Sequence, residues 1–390
     1  MPYLSDRFHD RDTDLRAPGP AAPAAGPNRT GTFDATAVTA AIGQRVLGQA
    51  AALEAVGHAL VIAQAGFQDR DRPMASVLLV GPTGVGKTEL VRRLAAEIRS
   101  GPDDLCRVDM GQLGQEHYAA SLAGAPPGYA GSREHASVLD RATVEGTALT
   151  PGIVLFDEVE KAHPLVLRAL LGALDHGRLT LAGGDRTISF RNTFVFMTSN
   201  LGSADLARRQ GRAWRRALGS LPVRGPVGRR ARAALGHRDG AIVDRAVRDF
   251  FEPEFLNRLD EVVHFGAITP GTAARIVALR LDDVRERFRR RDVELVIGDG
   301  VVEVLLDDGF DTVNGARGLG RSVRRNVVVP VAQALVRHRR ATDGARPPLT
   351  LRIDPAPGGG PDPLVVRPHS PGRAGAHGAT AAGAGRAEPA

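Results

Sequence analysis

The chain has 390 residues, 43% of them hydrophobic, enough for one large α/β domain and a smaller second one, and its single cysteine, Cys106, excludes an internal disulfide and fits a reducing, cytoplasmic compartment. No stretch approaches the roughly 18 consecutive apolar residues of a membrane span, and the charged, Pro/Ala/Gly-rich N-terminus lacks the apolar core of a signal peptide, so membrane and secretory roles are not expected. The net charge of +7 is local: ten arginines against the one acid Asp205 between Ser203 and Arg238 give that segment +9, leaving −2 for the rest.

Residues 1–35 are read as an unstructured leader. Ser76–Val80 is a continuous apolar run, expected as a buried parallel strand, and residues 89–98 have helical spacing. Between them stands GPTGVGKT at 81–88. Gly81, Gly84 and Gly86, with Pro82, Thr83 and Val85, form a loop whose backbone N–H groups converge on phosphate oxygens. Lys87 reaches the β- and γ-phosphates, and the Thr88 hydroxyl ligates Mg²⁺. Only two of the 51 basic residues are lysines, so a lysine here argues for a site that needs a compact ammonium rather than a guanidinium fork. Strand, glycine loop and helix together place phosphate on a helix N-terminus; the alternative is a plain glycine turn. The sequence therefore predicts nucleoside triphosphate binding.

Further along, Pro-Pro-Gly and Gly on either side of Tyr129 in GAPPGYAG (124–131) disfavour helix and strand and predict a protruding loop. Ile153–Phe156 reads as a short buried strand delivering Asp157 and Glu158, the first to hold Mg²⁺ through water and the second to position and deprotonate the attacking water. Thr193–Met197 is a further strand, followed by Thr198-Ser-Asn200, where a neutral amide can orient that water. Parallel strands with polar tips describe a P-loop α/β sheet with its ligand at the carboxyl ends. The arginine-rich insertion at 203–238, with the lone Trp214, is a solvated loop or an arm for an acidic partner, protein or nucleic acid. Helices are expected at 270–291, 301–308 and 320–340 (the last across Pro330), a strand at 293–297, a closing hairpin from 349–353 and 364–367, and an unstructured tail at 368–390.

Six segments in order, GPTGVGKTEL (81–90), GAPPGYAG (124–131), VLFDEVEKAHP (154–164), FRNTFVFMTSNLGS (190–203), FEPEFLNRLDE (251–261) and GARGL (315–319), resemble the second ATPase module of the Clp ring ATPases, the ClpA/ClpB/ClpC class of AAA+ unfoldases, over roughly 36–367. The resemblance implies a three-layer parallel sheet with helices on both faces over 36–267 and a small mixed lid domain over 268–367. It also implies ATP hydrolysis with Mg²⁺. Val46 and Leu47 are similar to the segment lining the adenine pocket, Asn200 to the first sensor, and Arg317 to the second sensor on the lid. Arg258 matches the arginine finger that reaches a neighbour's γ-phosphate, and Tyr129 the pore residue that grips polypeptide. Without that context each arginine reads as a solvated or salt-bridged surface residue, and the tyrosine as packing on its own domain. A ring, by resemblance a hexamer, acting on unfolded or aggregated polypeptide is the expected function. The rivals are a nucleic-acid-associated motor or switch using the insertion, a nucleotide-controlled regulatory scaffold whose ring assembles on ATP but threads nothing, and a regulatory ATPase subunit of a protease complex.

Three departures stand out. The chain is too short for the N-terminal substrate domain and first ATPase module of the larger relatives. Ser132-Arg-Glu-His135 replaces the glutamates and paired glycines that usually follow the tyrosine loop. No Ile/Val/Leu-Gly-Phe/Leu tripeptide occurs between 203 and 250, which disfavours pairing with a ClpP-type peptidase.

Overall fold

The computed structural model describes residues 33–115, 139–147, 149–180, 187–203, 205–206, 240–311, 315–341, 349–356 and 363–369. Tyr129 and its loop, Ser132–His135, the insertion from 207 to 239, the leader to residue 32 and the tail from 370 lie outside the described residues. Two helices come first, α1 (Ala35–Arg45) and α2 (Ala50–Ala65), followed by β1 (Ala75–Val80), α3 (Lys87–Ile98), β2 (Cys106–Asp109) and β3 (Gly152–Asp157). After helix α4 (Pro164–His176) and a small antiparallel pair, β4 (Arg178–Thr180) and β5 (Thr187–Ser189), come β6 (Thr193–Ser199) and β7 (Glu261–His264). Strands β1, β2, β3, β6 and β7 form one parallel sheet in the order β2-β3-β6-β1-β7.

All six residues of β1 and all seven of β6 are buried, as the continuous apolar runs predict for strands covered on both faces. Alternation assigns their side chains to two cores. Val77, Leu79, Phe194 and Phe196 pack with α1, α2 and α3, while Leu78, Val80, Val195 and Met197 pack with α4. The first core continues without a break into the second unit, through Ala273, Val277 and Leu281. That unit comprises α5 (Pro270–Arg289), β8 (Val293–Ile297), α6 (Val301–Gly309), α7 (Ala316–Val323), α8 (Val329–Ala341), β9 (Leu349–Pro355) and β10 (Leu364–Pro368). Its sheet has the order β10-β9-β8, with β9 and β10 antiparallel and β8 and β9 parallel. Among the described residues no helix is long and apolar enough to cross a membrane.

The structure departs from the sequence reading at two boundaries. Residues 33–35, assigned to the unstructured leader, are ordered: Phe33 is buried and meets Phe194 edge-on with ring centroids 6.5 Å apart, and Asp34 caps α1 through the N–H groups of Thr36 and Ala37. The single helix expected over 320–340 begins at Ala316 and contains a π-helical stretch at Arg324–Val328. Val329 N–H bonds Arg324 O there, and this wider turn accommodates Pro330, which has no N–H and whose ring would clash with the carbonyl four residues back.

Phe194 sits on the central strand β6 and is 1% exposed. Phe194→Ala is expected to cost about 3–5 kcal/mol of stability by emptying the core beneath α1; chemical denaturation followed by circular dichroism measures it, and a loss under about 1 kcal/mol would contradict this packing.

Candidate active site

The carboxyl ends of β1, β3 and β6 are neighbours in the sheet, and this order brings three separate sequence motifs to one place. β1 runs into Gly81, whose φ of 152° and whose approach to Phe265 leave no room for a side chain: a Cβ would fall 2.5 Å from the Phe265 carbonyl oxygen. The loop to Gly86 opens α3, and no side chain caps that helix, so its first N–H groups are left for an anion. Lys87 is only 7% exposed. Its ammonium donates to the carbonyls of Gly81 at 2.6 Å and Pro82 at 2.8 Å and to Asn200 Oδ1 at 3.0 Å. Burial pushes Lys87 down to about 8 from its usual value; the carboxylates of Glu160 and Asp157 act in the opposite sense, and the Arg317 guanidinium lowers it further.

At the end of β3, Asp157 accepts hydrogen bonds from the Thr198 hydroxyl and from the Arg107 guanidinium, whose Nε lies 3.2 Å away. Glu158 follows in a left-handed backbone conformation (φ 60°), which a non-glycine residue keeps only where its surroundings enforce it. Its N–H donates to Thr198 Oγ1 at 3.0 Å, its Oε1 accepts from the Asn200 amide at 3.2 Å, and its Oε2 is paired with Lys161. The Asn200 N–H donates to Glu160 Oε1 at 3.0 Å.

These groups line a cavity of about 890 Å³. Its apolar lining includes Val46, Leu47, Ile268, Ile276 and Leu279. Its polar lining includes Thr83, Lys87, Thr88, Arg107, Asp157, Glu158, Asn200 and Arg317, with Gly84, Val85 and Gly86 of the same loop. Besides the shared apolar core, two polar contacts among the described residues join the second unit to the first beside the cavity. Ala316 N–H donates to Gly84 O at 2.9 Å, and Arg45 Nη1 meets Asp283 Oδ1 at 2.6 Å. Gly315, at φ 56°, presses so closely on the loop that a Cβ would lie 2.9 Å from Gly84 O.

Of the residues singled out from sequence, Val46, Leu47, Thr83, Gly84, Val85, Gly86, Lys87, Thr88, Asp157, Glu158, Asn200 and Arg317 meet in this one cavity, and Gly81 and Pro82 hold Lys87 from behind. Arg258 does not. It stands by the start of β1, with Nε 2.7 Å from Asp175 Oδ1. Sequence reasoning missed Arg107, Glu160, Lys161 and the lid residues Ile276 and Leu279. Lys161 is the chain's other lysine, so the scarcity that marks Lys87 marks it too. Among the described residues no cluster of three or more His, Cys, Asp or Glu could hold a metal. A cation here would therefore use the Thr88 hydroxyl, the Asp157 carboxylate and phosphate oxygens, a sparse all-oxygen set that fits Mg²⁺.

The lowered Lys87 has a consequence for phosphate binding. A bound phosphate favours the ammonium and raises its pKa, so affinity is full below about pH 8 and declines as pH rises through and beyond the free value of about 8. Titration calorimetry with ATP is expected to show proton uptake at pH 8–9 and affinity falling by up to about tenfold per pH unit; a constant affinity from neutral pH to about 9.5 would contradict the burial of a titrating Lys87.

Comparison with known proteins places this site in a family. Residues 72–262 match the model of an AAA domain (Cdc48 subfamily), and residues 268–346 match that of the C-terminal D2-small domain of ClpB. An ATP-dependent protease ATP-binding subunit-like protein of Rhodococcus erythropolis is 50% identical over 336 residues, covering 86% of this chain and 92% of that protein. A similarly named protein, AmiB, of Pseudomonas aeruginosa is 45% identical, covering 80% and 82%. The chaperone ClpB of Vibrio cholerae is 39% identical over 75% of this chain but only 31% of its own length. An extended-conformation structure of the Saccharomyces cerevisiae Hsp104–casein complex superimposes with a TM-score of 0.68 at 27% identity, over 88% of this chain and 53% of that one. A closed-state reconstruction of Hsp104 with ATPγS and casein gives 0.65, also at 27% identity, over 86% and 51%. With the phosphate loop, acid pair and lid in one cavity and both family models matched in succession, the chain belongs to the Clp-type AAA+ ATPases, corresponding to their second ATPase module and its small domain.

Proposed function

We propose that this ATPase is a cytoplasmic, ring-forming protein remodeller: hydrolysis moves Tyr129-bearing loops that draw unfolded or aggregated polypeptide through a central pore. The observation that carries this reading is the separation of the cations. Lys87 and Arg317 line the cavity, whereas Arg258 is anchored at the far end of β1. The five residue steps of β1 span about 17 Å, so Arg258 is out of reach of its own site. It serves instead as a group lent to a neighbour, and such head-to-tail contacts close into rings. Family resemblance makes that ring a hexamer. The two Hsp104 structures contain casein, which supports polypeptide as the substrate.

In this mechanism Val46, Leu47 and the apolar lining from the second unit receive the adenine. Lys87 and the loop N–H groups hold the β- and γ-phosphates, and Asn200 orients the attacking water. Glu158 takes that water's proton, for which its carboxylate must leave Lys161. Thr88 and Asp157 would hold Mg²⁺, which supplies charge neutralisation at the phosphates. Arg317 and the neighbour's copy of Arg258 meet the negative charge that builds on the γ-phosphate, and an arginine delivered in trans is worth about 10³–10⁵ in rate.

A second reading has its own observation. The Rhodococcus and Pseudomonas relatives, matched over most of their lengths, are named as protease ATP-binding subunit-like. On that reading the ring delivers polypeptide to a peptidase. Degradation of an unfolded substrate on addition of a ClpP-type peptidase favours it; the lack of an apolar-Gly-apolar docking tripeptide between 203 and 250 speaks against it.

Lys87 and Glu158 serve different steps. Lys87→Ala is expected to abolish nucleotide binding, whereas Glu158→Gln keeps binding and loses turnover, as read by fluorescent-nucleotide titration and phosphate release. Tight ATP binding by the Lys87→Ala protein would sink the phosphate-loop assignment.

The substrate reading rests on Tyr129. Tyr129→Ala is expected to keep basal ATPase and assembly while losing unfolding of a tagged substrate, and Tyr129→Phe to stay nearly normal, because ring area does the gripping. Full unfolding activity in Tyr129→Ala, with ATPase stimulated by DNA or RNA and lost on deleting 205–238, would identify a nucleic-acid-dependent motor instead.

A further inference from the structure

The end of β1 opposite the phosphate loop carries a polar network that the ATPase chemistry leaves unexplained. Arg72 Nη2 donates to the Arg258 carbonyl at 2.6 Å, and its Nε donates to the Leu174 carbonyl at 3.2 Å. Its Nη1 lies 3.6 Å from the Asp260 carboxylate. That carboxylate accepts from the Ser76 N–H at 2.6 Å and the Ser76 hydroxyl at 2.8 Å, and the Asp260 N–H donates to the Ser76 carbonyl at 2.9 Å. Ser76 belongs to β1 and is 1% exposed. The Arg258 loop is thereby pinned to a buried strand.

The planar guanidinium of Arg72 thus spans two elements at fixed spacing, which a flexible ammonium could not do. One is the last turn of α4, where Asp175 follows Leu174 and meets the Arg258 side chain. The other is the backbone of Arg258 itself. Arg72, together with the Ser76 hydroxyl 3.3 Å from the Arg258 carbonyl, thus ties the root of the Arg258 side chain to the turn that carries its carboxylate partner. The Arg258 side chain remains 40% exposed, so it is held at its root and open at its tip. None of Arg72, Ser76 or Asp260 lines the nucleotide cavity of the same chain.

We propose that Arg72, braced by Asp260 and Ser76, is a positioning residue that aims Arg258 into the nucleotide site of the adjacent subunit. The proposal rests on the reading of Arg258 as a group acting in trans. A misplacement of about 1 Å in such a group costs on the order of 10²-fold in rate, so a rigid root for a long side chain has a direct catalytic value.

The test is complementation in mixed rings. Arg72→Ala alone is expected to bind ATP normally and to assemble, with kcat lowered at least about tenfold at nearly unchanged KM. Mixed with Glu158→Gln subunits, which bind ATP but do not hydrolyse it, Arg72→Ala regains part of its turnover, because its intact site then faces a correctly aimed Arg258. A defect confined to its own fold or site would not be rescued. Arg258→Ala mixed with Glu158→Gln is run in parallel. Rescue of Arg258→Ala but not of Arg72→Ala overturns the positioning role; rescue of neither overturns the trans reading and the proposal with it. Should Arg72→Ala fail to fold, Ser76→Ala, which keeps the backbone hydrogen bonds and loses only the hydroxyl, takes its place with a smaller kcat loss and the same rescue required.

Discussion

The buried ammonium of Lys87 is the constraint around which the rest of the site is arranged. A cation removed from water must have its donors satisfied, and here the partners are two carbonyls of its own loop and the Asn200 amide oxygen. Those partners come from β1 and β6, and the acids that favour the charged form follow β3. Only a sheet in which β3, β6 and β1 are adjacent and parallel delivers all of them at one edge. The strand order and the cation thus specify each other, and the cost of burying Lys87 is offset when an anion replaces its carbonyl partners.

The lid is coupled to that centre by light contacts. The Arg45–Asp283 pair is more than a third exposed on both sides, so it contributes little to holding the two units together. The Ala316–Gly84 hydrogen bond is a single neutral contact, worth about 1 kcal/mol. The apolar core that runs through both units is what holds them together. On the proposed function, a nucleotide spanning Lys87 and Arg317 would contact both units at once, and a ligand whose contacts differ between two arrangements of those units can shift the equilibrium between them. Gly315 approaches Gly84 so closely that the phosphate loop and the second unit are in direct backbone contact.

The phosphate loop, the acid pair and Asn200 were legible in the sequence because each closes a buried strand, and a run of apolar residues ending in a polar tip needs no tertiary information. Val46, Leu47 and Arg317 required family resemblance, since nothing local distinguishes them from core or surface residues. Arg107 and Glu160 were not legible as site residues because their partners lie on other strands: Arg107 on β2 pairs with Asp157 only through strand register, and Glu160 accepts from the Asn200 N–H beyond β6. Lys161, whose partner Glu158 is only three residues away, carried a signal in its scarcity that the motif reading passed over. The helix over 320–340 was legible as a helix, but its π-helical turn was not, because that distortion is an accommodation to Pro330 within a packed element. Arg258 was recognised by motif, yet its support by Arg72 joins residues 186 positions apart and appears only in three dimensions.

The central claim is that a complete active site needs two copies of the chain. Turnover per chain measured across a dilution series, with sedimentation velocity on the same samples, tests it most directly. The account predicts that ATPase activity falls in step with the loss of assembled rings. Undiminished turnover in samples that sediment as monomers would contradict it.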